Sequence, residues 1–246
     1  MTCEACQTIP PVVVTNYQTK GHYKQIAGLK TYITGPPTSK KALITIYDIF
    51  GFASQTLQGA DLLAAAVGAL VFVPDFLEGH VAREEWFASK EPSPEKAAFF
   101  AMLDPAGNAG KLGRFVEAAK GEVEFGDVQS WGAFGLCWGG KIAVLASGPG
   151  TPFKVSGQTH PGQLNVEDAK KLEIPHIVLA SNGEDEKVVA EYKAVLVGEG
   201  KPGVVESYMN MHHGWMGTRA KLDEAENLKE YERGYNQVAA FFAKHL

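Results

Sequence analysis

Between residues 131 and 146 the chain must pass from an extended apolar run into a helix within a few residues. Trp131-Gly132-Ala133-Phe134 reads as a strand and Lys141-Ile142-Ala143-Val144-Leu145-Ala146 as a helix, with Gly135-Leu136-Cys137-Trp138-Gly139-Gly140 between them. The join has the form Gly-x-nucleophile-x-Gly, with cysteine where serine usually stands. In such a turn the central residue is strained, and side chains two positions before and after it would collide, so Gly135 and Gly139 meet the requirement. The thiol then projects above the sheet, over a helix N-terminus that aims free N–H groups at the sulfur. A free cysteine is more often a small buried apolar residue, so the reading depends on partners elsewhere.

The chain around this turn alternates between two patterns. Near-continuous apolar runs at 42–47 and 69–74 suit parallel strands buried on both faces, and 155–160, 175–180 and 204–209 also read as strands. Helical spacing is read at 55–67, 112–120, 165–171 and 188–197, and at Leu228, Tyr231, Tyr235, Val238 and Phe242 near the end. Residues 23–34 read as a strand or hairpin arm before Gly35-Pro36-Pro37. Residues 80–110, rich in aromatics, charges and prolines, read as an excursion of loops and short helices that walls or covers a pocket. The pattern predicts an α/β fold, a mostly parallel sheet flanked by helices in three layers. Residues 1–20 are expected to be a loosely ordered segment, and residues 21–246 a single α/β domain.

Composition excludes several classes of function. The net charge is −5 and the basic residues form no run, which argues against nucleic acid or an anionic membrane as partner. The longest apolar run is too short to span a bilayer, and the first residues lack the pattern of a secretory signal. With three cysteines a disulfide framework is not expected, so a reducing, cytoplasmic setting fits. Cys3-x-x-Cys6 lacks the further ligands of a zinc site, so no metal is expected. Monomer and homodimer remain open.

In an open parallel sheet, ligands bind beyond the carboxyl ends of the strands. Four chemistry-bearing stretches fall there: Asp48-Ile49, Cys137, Ser181-Asn182-Gly183-Glu184-Asp185, and His212-His213-Gly214-Trp215. Nucleophile, acid, histidine is the chain order of the α/β-hydrolases. A thiol of ordinary pKa is only a few per cent thiolate at neutral pH, so a base within reach must take its proton. An acid on the far ring nitrogen fixes the tautomer of that base. Gly214 favours His213 over His212 as the base. Among Glu184, Asp185 and Glu186, the shorter side chain and its place three residues before Val188 favour Asp185. The backbone N–H groups of Trp138 and Ile49 are the expected oxyanion donors.

These residues resemble the dienelactone hydrolase (carboxymethylenebutenolidase) family of α/β-hydrolases, in particular its fungal members. The matching pieces are Asp48-Ile49-Phe50-Gly51, Pro74-Asp75-Phe76, Gly135 to Gly140, Gly183-Glu184-Asp185 and His213-Gly214-Trp215. The resemblance implies a Cys137–His213–Asp185 triad that hydrolyses a lactone or activated carboxylic ester through a thioester, without metal or cofactor. Asp48 stands where bacterial members carry a glutamate that positions the thiol; its plainer reading is a loop carboxylate bonded to backbone amides. Family arginines that hold a substrate carboxylate suggest Arg83 and Arg219, although Gly217 stands nearer the expected position of the second. If neither arginine reaches the pocket, Trp86, Phe87, Trp138 and Trp215 would favour a larger, flatter aromatic or polyketide-like ester instead of a dienelactone-type anion. The competing reading is a noncatalytic binding or scaffold protein on the same fold. A redox-sensing role for Cys137 would call for a resolving cysteine, and none is evident.

Overall fold

The structure is a computed structural model that describes residues 16–83, 85–88, 91, 93–198, 200 and 202–246. Cys3, Cys6 and most of the N-terminal segment lie outside the described residues.

The described residues form an eight-stranded sheet in the order β1-β2-β4-β3-β5-β6-β7-β8. It opens with an antiparallel hairpin, β1 (His22–Ile26) and β2 (Leu29–Thr34). Ala27 and Gly28 turn it with φ of 52° and 79°, the left-handed pair that matches strand twist. β2 runs antiparallel to β4 (Leu70–Pro74). From there β3 (Lys41–Ile46), β5 (Ser130–Leu136), β6 (Val155–Thr159), β7 (His176–Ser181) and β8 (Gly203–Tyr208) pair in parallel. The central strands are buried on both faces, which is why β3 and β4 read as nearly unbroken apolar runs.

Side-chain alternation sorts the helices onto two faces. α1 (Ser54–Val67) and the C-terminal helix (Ala225–His245) share one face: Gly59 admits the Tyr235 ring, and Phe242 packs where Gly132 and Gly157 leave the sheet bare. Phe134 points the same way, 6.2 Å from the Phe242 ring. The opposite face carries Phe72, stacked on Trp131 at 5.6 Å and edge-on to Phe115 at 6.3 Å. Phe115 belongs to a long helix (Pro105–Gly121) that follows two short ones, α2 (Glu85–Ala88) and α3 (Pro94–Met102), so we number it α4. α5 (Trp138–Leu145), α6 (Val166–Lys171) and α7 (Glu186–Gly198) complete that layer, and the C-terminal helix is α8.

The excursion between β4 and α4 is not free-standing. Ala82 N donates to Ile49 O at 2.9 Å, Phe87 meets Phe50 edge-on at 6.4 Å, and Trp138 Nε1 donates to Leu103 O at 2.9 Å. It therefore packs over the loop after β3 and over the first residue of α5. β3 lies between β4 and β5, so the crossovers reverse direction there and open a crevice at the carboxyl ends.

Candidate functional site

Cys137 sits between β5 and α5 with φ 53° and ψ −114°, a conformation that costs a non-glycine residue about 1–3 kcal/mol. Backbone bonds hold it there. Cys137 N donates to Thr159 O (3.1 Å), and Cys137 O accepts from Gly140 N and Gly162 N, both at 3.0 Å. A Cβ at Gly135 would collide with the Gly139 carbonyl; one at Gly139 would collide with Ile46 O and lie 2.6 Å from Tyr47 O. Both glycines are required because the end of β3, the turn and α5 touch backbone to backbone.

His213 lies in the loop after β8, 1 % exposed. Its Nδ1 donates to Glu184 Oε1 at 2.7 Å. Glu184 follows β7 and is fixed in turn by Ser181, whose backbone N–H and hydroxyl both donate to its carboxylate. Asp185 is not the residue on the histidine. Its Oδ1 accepts from Lys187 N (2.8 Å) and Val188 N (3.2 Å), which makes it the N-cap of α7, exposed to solvent. The physical reason is reach: the shorter carboxylate stays with its own backbone, while the longer one folds back under the loop. The spacing to Val188 that favours Asp185 in the sequence is the spacing of a cap.

Asp48 is fully buried at the end of β3. It accepts from Phe50 N (3.0 Å), Thr218 N (3.0 Å) and Thr218 Oγ1 (2.8 Å). Its carboxylate thus ties the loop after β3 to the loop that carries His213. A Cβ at Gly217 would stand 2.7 Å from Asp48 Oδ2, so a side chain there would have to displace the hydrogen-bonded carboxylate. Ile49 is buried beside Asp48, and Trp138 opens α5.

The four residues expected to contact substrate divide. Arg219 is fully buried, with its guanidinium 4.7 Å over the Phe50 ring. Arg83 is exposed; it pairs with Glu95 at 3.2 Å and lies near Glu85 at 4.0 Å, so it belongs to the surface of the excursion. Trp86 is partly buried between Arg83 and Phe99, 5.2 Å from the latter's ring. Trp215 is core: it stacks on Tyr208 at 4.5 Å and closes over Gly234 of α8. His212 Nε2 donates to the Arg219 carbonyl (3.0 Å), and burial pulls the His212 pKa down. Among the described residues no three His, Cys, Asp or Glu side chains are grouped as a metal ion would need.

One residue was not foreseen. His160 follows β6 with φ 35°, and its ring lies 5.1 Å from that of His213 at 65°. Burial, then the nearby His213 and Arg219, push its pKa well below the ordinary value. The strand-end rule that singled out the other residues also covers His160-Pro161-Gly162, but a lone histidine after an apolar run carries no pattern of its own.

Residues 29–246 match the dienelactone hydrolase family. The chain belongs to that family. Two AIM2-family proteins of Schizosaccharomyces pombe are similar along nearly the whole length. One is 35 % identical, covering 92 % of this chain and 92 % of its own. The other is 33 % identical, covering 96 % and 97 %. A carboxymethylenebutenolidase homolog of Mus musculus is 34 % identical over 51 % of this chain and 49 % of its own. Among solved structures, the dienelactone hydrolase of Anabaena variabilis superposes with a TM-score of 0.63 at 14 % identity, covering 93 % of this chain and 98 % of that one. An esterase of Pyrococcus furiosus gives 0.66 at 13 %, covering 97 % and 99 %. This dienelactone hydrolase family member thus has the α/β-hydrolase fold, and no helix among its described residues is long and apolar enough to cross a membrane.

Proposed function

We propose that the chain hydrolyses a lactone or activated carboxylic ester with Cys137 as nucleophile, His213 as base and Glu184 as the acid that orients it. The observation that carries this reading is the 2.7 Å bond from His213 Nδ1 to Glu184 Oε1, made between the loops after β7 and β8, at the same carboxyl end of the sheet as the Cys137 turn after β5. With Nδ1 donating to a carboxylate, Nε2 is the basic nitrogen, the one that would take the proton of the Cys137 thiol.

The chemistry then runs in two halves. His213 Nε2 takes the Cys137 proton, and the thiolate attacks the carbonyl carbon. The oxyanion meets the Trp138 and Ile49 N–H groups, worth about 10²–10³ in rate for one such donor. The C–O bond breaks, the leaving oxygen takes the proton back from His213, and a thioester remains on Cys137. In a lactone the leaving alcohol stays tethered to the acyl group. Water then gives a proton to His213 and attacks the thioester carbonyl, the C–S bond breaks, and the thiolate recovers its proton as the acid departs. Amides should be poor substrates, because the thiolate leaves more readily than an amine. Arg219, buried against Phe50 on the loop that carries Ile49, is the cation we assign to a substrate carboxylate; Trp86 lines the covering excursion.

Purified protein should turn over p-nitrophenyl esters, and Cys137→Ala should lose at least about 10³ of that rate. Intact-mass spectrometry of a slow substrate should show one acyl group on the native chain and none on the variant. Undiminished turnover in Cys137→Ala would reject the reading.

A further inference from the structure

His160 stands beside the reacting groups and takes no part in the steps above. Its backbone is pinned on both sides: His160 N donates to Leu179 O at 2.7 Å, and two residues on Gly162 N donates to Cys137 O at 3.0 Å. That pinning holds a φ of 35°, which a residue with a Cβ adopts only under constraint, and delivers the ring to His213. A Cβ built at Gly217 would lie 3.7 Å from His160 Cε1 and 2.7 Å from Asp48 Oδ2, so the ring also faces the loop that Asp48 holds. Neither ring nitrogen has a hydrogen-bond partner among the described residues, although the side chain is fully buried. A buried, unmatched donor and acceptor is costly, and such groups ask for an explanation. Cys137 and His213 are each 1 % exposed, so this degree of burial does not set His160 apart from the reacting atoms.

We propose that His160 is a substrate-contacting residue that hydrogen-bonds an uncharged hydroxyl or ketone oxygen on the acyl portion, close to the scissile carbonyl. The proposal rests on the ester-hydrolase reading and names the substrate class within it: oxygenated acyl esters or lactones over plain aliphatic ones. The acyl side follows from the tie between this segment and Cys137, the residue that carries the acyl group. The uncharged partner follows from the ring itself. Buried near His213 and Arg219 it stays neutral, and a neutral imidazole offers one N–H and one lone pair. A hydroxyl uses either, a ketone uses the first, and a carboxylate is better served by Arg219. A plain acyl chain would leave both nitrogens unmet, which is how a polar site rejects the analogue that lacks the oxygen.

The test compares p-nitrophenyl butyrate with its 2-hydroxy, 3-hydroxy and 3-oxo analogues, reading the ratio of kcat/KM within each protein so that any common loss cancels. The native chain should prefer at least one oxygenated ester by about tenfold, the order one hydrogen bond supplies. His160→Phe should bring that ratio to about one, and His160→Asn, which keeps a donor and an acceptor, should retain part of it. Ratios unchanged in His160→Phe, or no preference in the native chain, would overturn the proposal. Turnover that survives Cys137→Ala would instead sink the ester-hydrolase reading. A second measurement does not depend on turnover or on a folded His160 variant. In Cys137→Ala, the ring 15N resonances of His160 should move on adding the preferred oxygenated ester and stay still with the butyrate. No movement with either would also overturn the proposal.

Discussion

The turn that carries Cys137 and the loop that carries His213 are held by different means. The Cys137 backbone is fixed by other main chain: Thr159 O, Gly140 N and Gly162 N bond it, and two glycines let three backbones touch. The His213 loop is fixed by side chains that reach in from distant elements. Asp48 holds Thr218, Gln55 Nε2 of α1 donates to the Thr218 and Ala220 carbonyls (3.3 and 3.1 Å), Asn227 Nδ2 of α8 donates to Trp215 O (3.2 Å), and Tyr235 donates to Met216 O (2.9 Å). A turn built from backbone tolerates most changes around it but no added Cβ. A loop built from side chains fails one polar group at a time.

The largest effect should come from breaking the first half of this contrast. Gly139→Ala places a Cβ against the Ile46 and Tyr47 carbonyls, which are backbone atoms of a buried strand and cannot step aside. We expect a loss of about 3 kcal/mol or more, with little soluble protein. Thermal unfolding and soluble yield check it, and a variant as stable as the native chain would show that the turn is held less tightly than its contacts imply.

Next comes the carboxylate pair in the other half. Glu184→Gln should lower kcat/KM by about 10²–10⁴, because the wrong tautomer of His213 is then favoured, with little change in melting temperature. Asp185→Asn should do the reverse. It weakens the cap of α7, at a cost of about 1 kcal/mol or less, and its kcat/KM should stay well above that of Glu184→Gln. The two residues are adjacent in the chain, so an exchange of these outcomes would return the acid role to Asp185.

Asp48→Asn is intermediate. The amide would turn an N–H₂ toward Phe50 N or Thr218 N, leaving a buried donor unmatched at about 1–3 kcal/mol. Since Thr218 is five residues past His213, kcat should fall by about tenfold as well. Thr218→Val should cost less, and the double variant should cost less than the sum if the two act through one bond.

How far all this can be read from sequence follows the same division. β3 and β4 are legible because burial on both faces leaves near-continuous apolar runs such as Leu43-Ile44-Thr45-Ile46. The Cys137 turn is legible because steric demand dictates glycine at fixed offsets. The His213 loop is not, since nothing local announces that Asp48 will meet Thr218 from 170 positions away. Glu184 and Asp185 differ by one methylene, and only the course of the turn after β7 decides which folds back. Trp215 beside a histidine reads equally as pocket wall or as core, and Tyr208 and Gly234 settle it as core. Arg83 looks available until Glu95 is brought beside it by α3.

A stability effect with no expected change in turnover sharpens the contrast by pH. Below the Cys137 turn, Gly140 of α5 rests on Gln158, whose amide contacts His176 Nε2 at 3.1 Å, while Ser156 Oγ meets His176 Nδ1 at 2.7 Å. Burial pushes the His176 pKa down from 6.5 to about 3. The unfolded chain therefore binds a proton below pH 6.5 that the folded chain refuses until about pH 3. Above 6.5 this group is silent; as pH falls through the window, stability drops by about 1.4 kcal/mol per pH unit. Ser156 and Gln158 both tolerate a neutral ring, so His176→Gln should keep the network polar while removing that slope. Urea titrations at pH 7, 6 and 5 check it: the native-minus-variant difference in unfolding free energy should shrink as pH falls. A difference that stays constant would mean that the polar pair beneath the backbone-held turn carries no proton linkage. The loss of stability in mild acid would then belong to the remaining buried histidines, His160 first among them, on the side-chain-held half of the site.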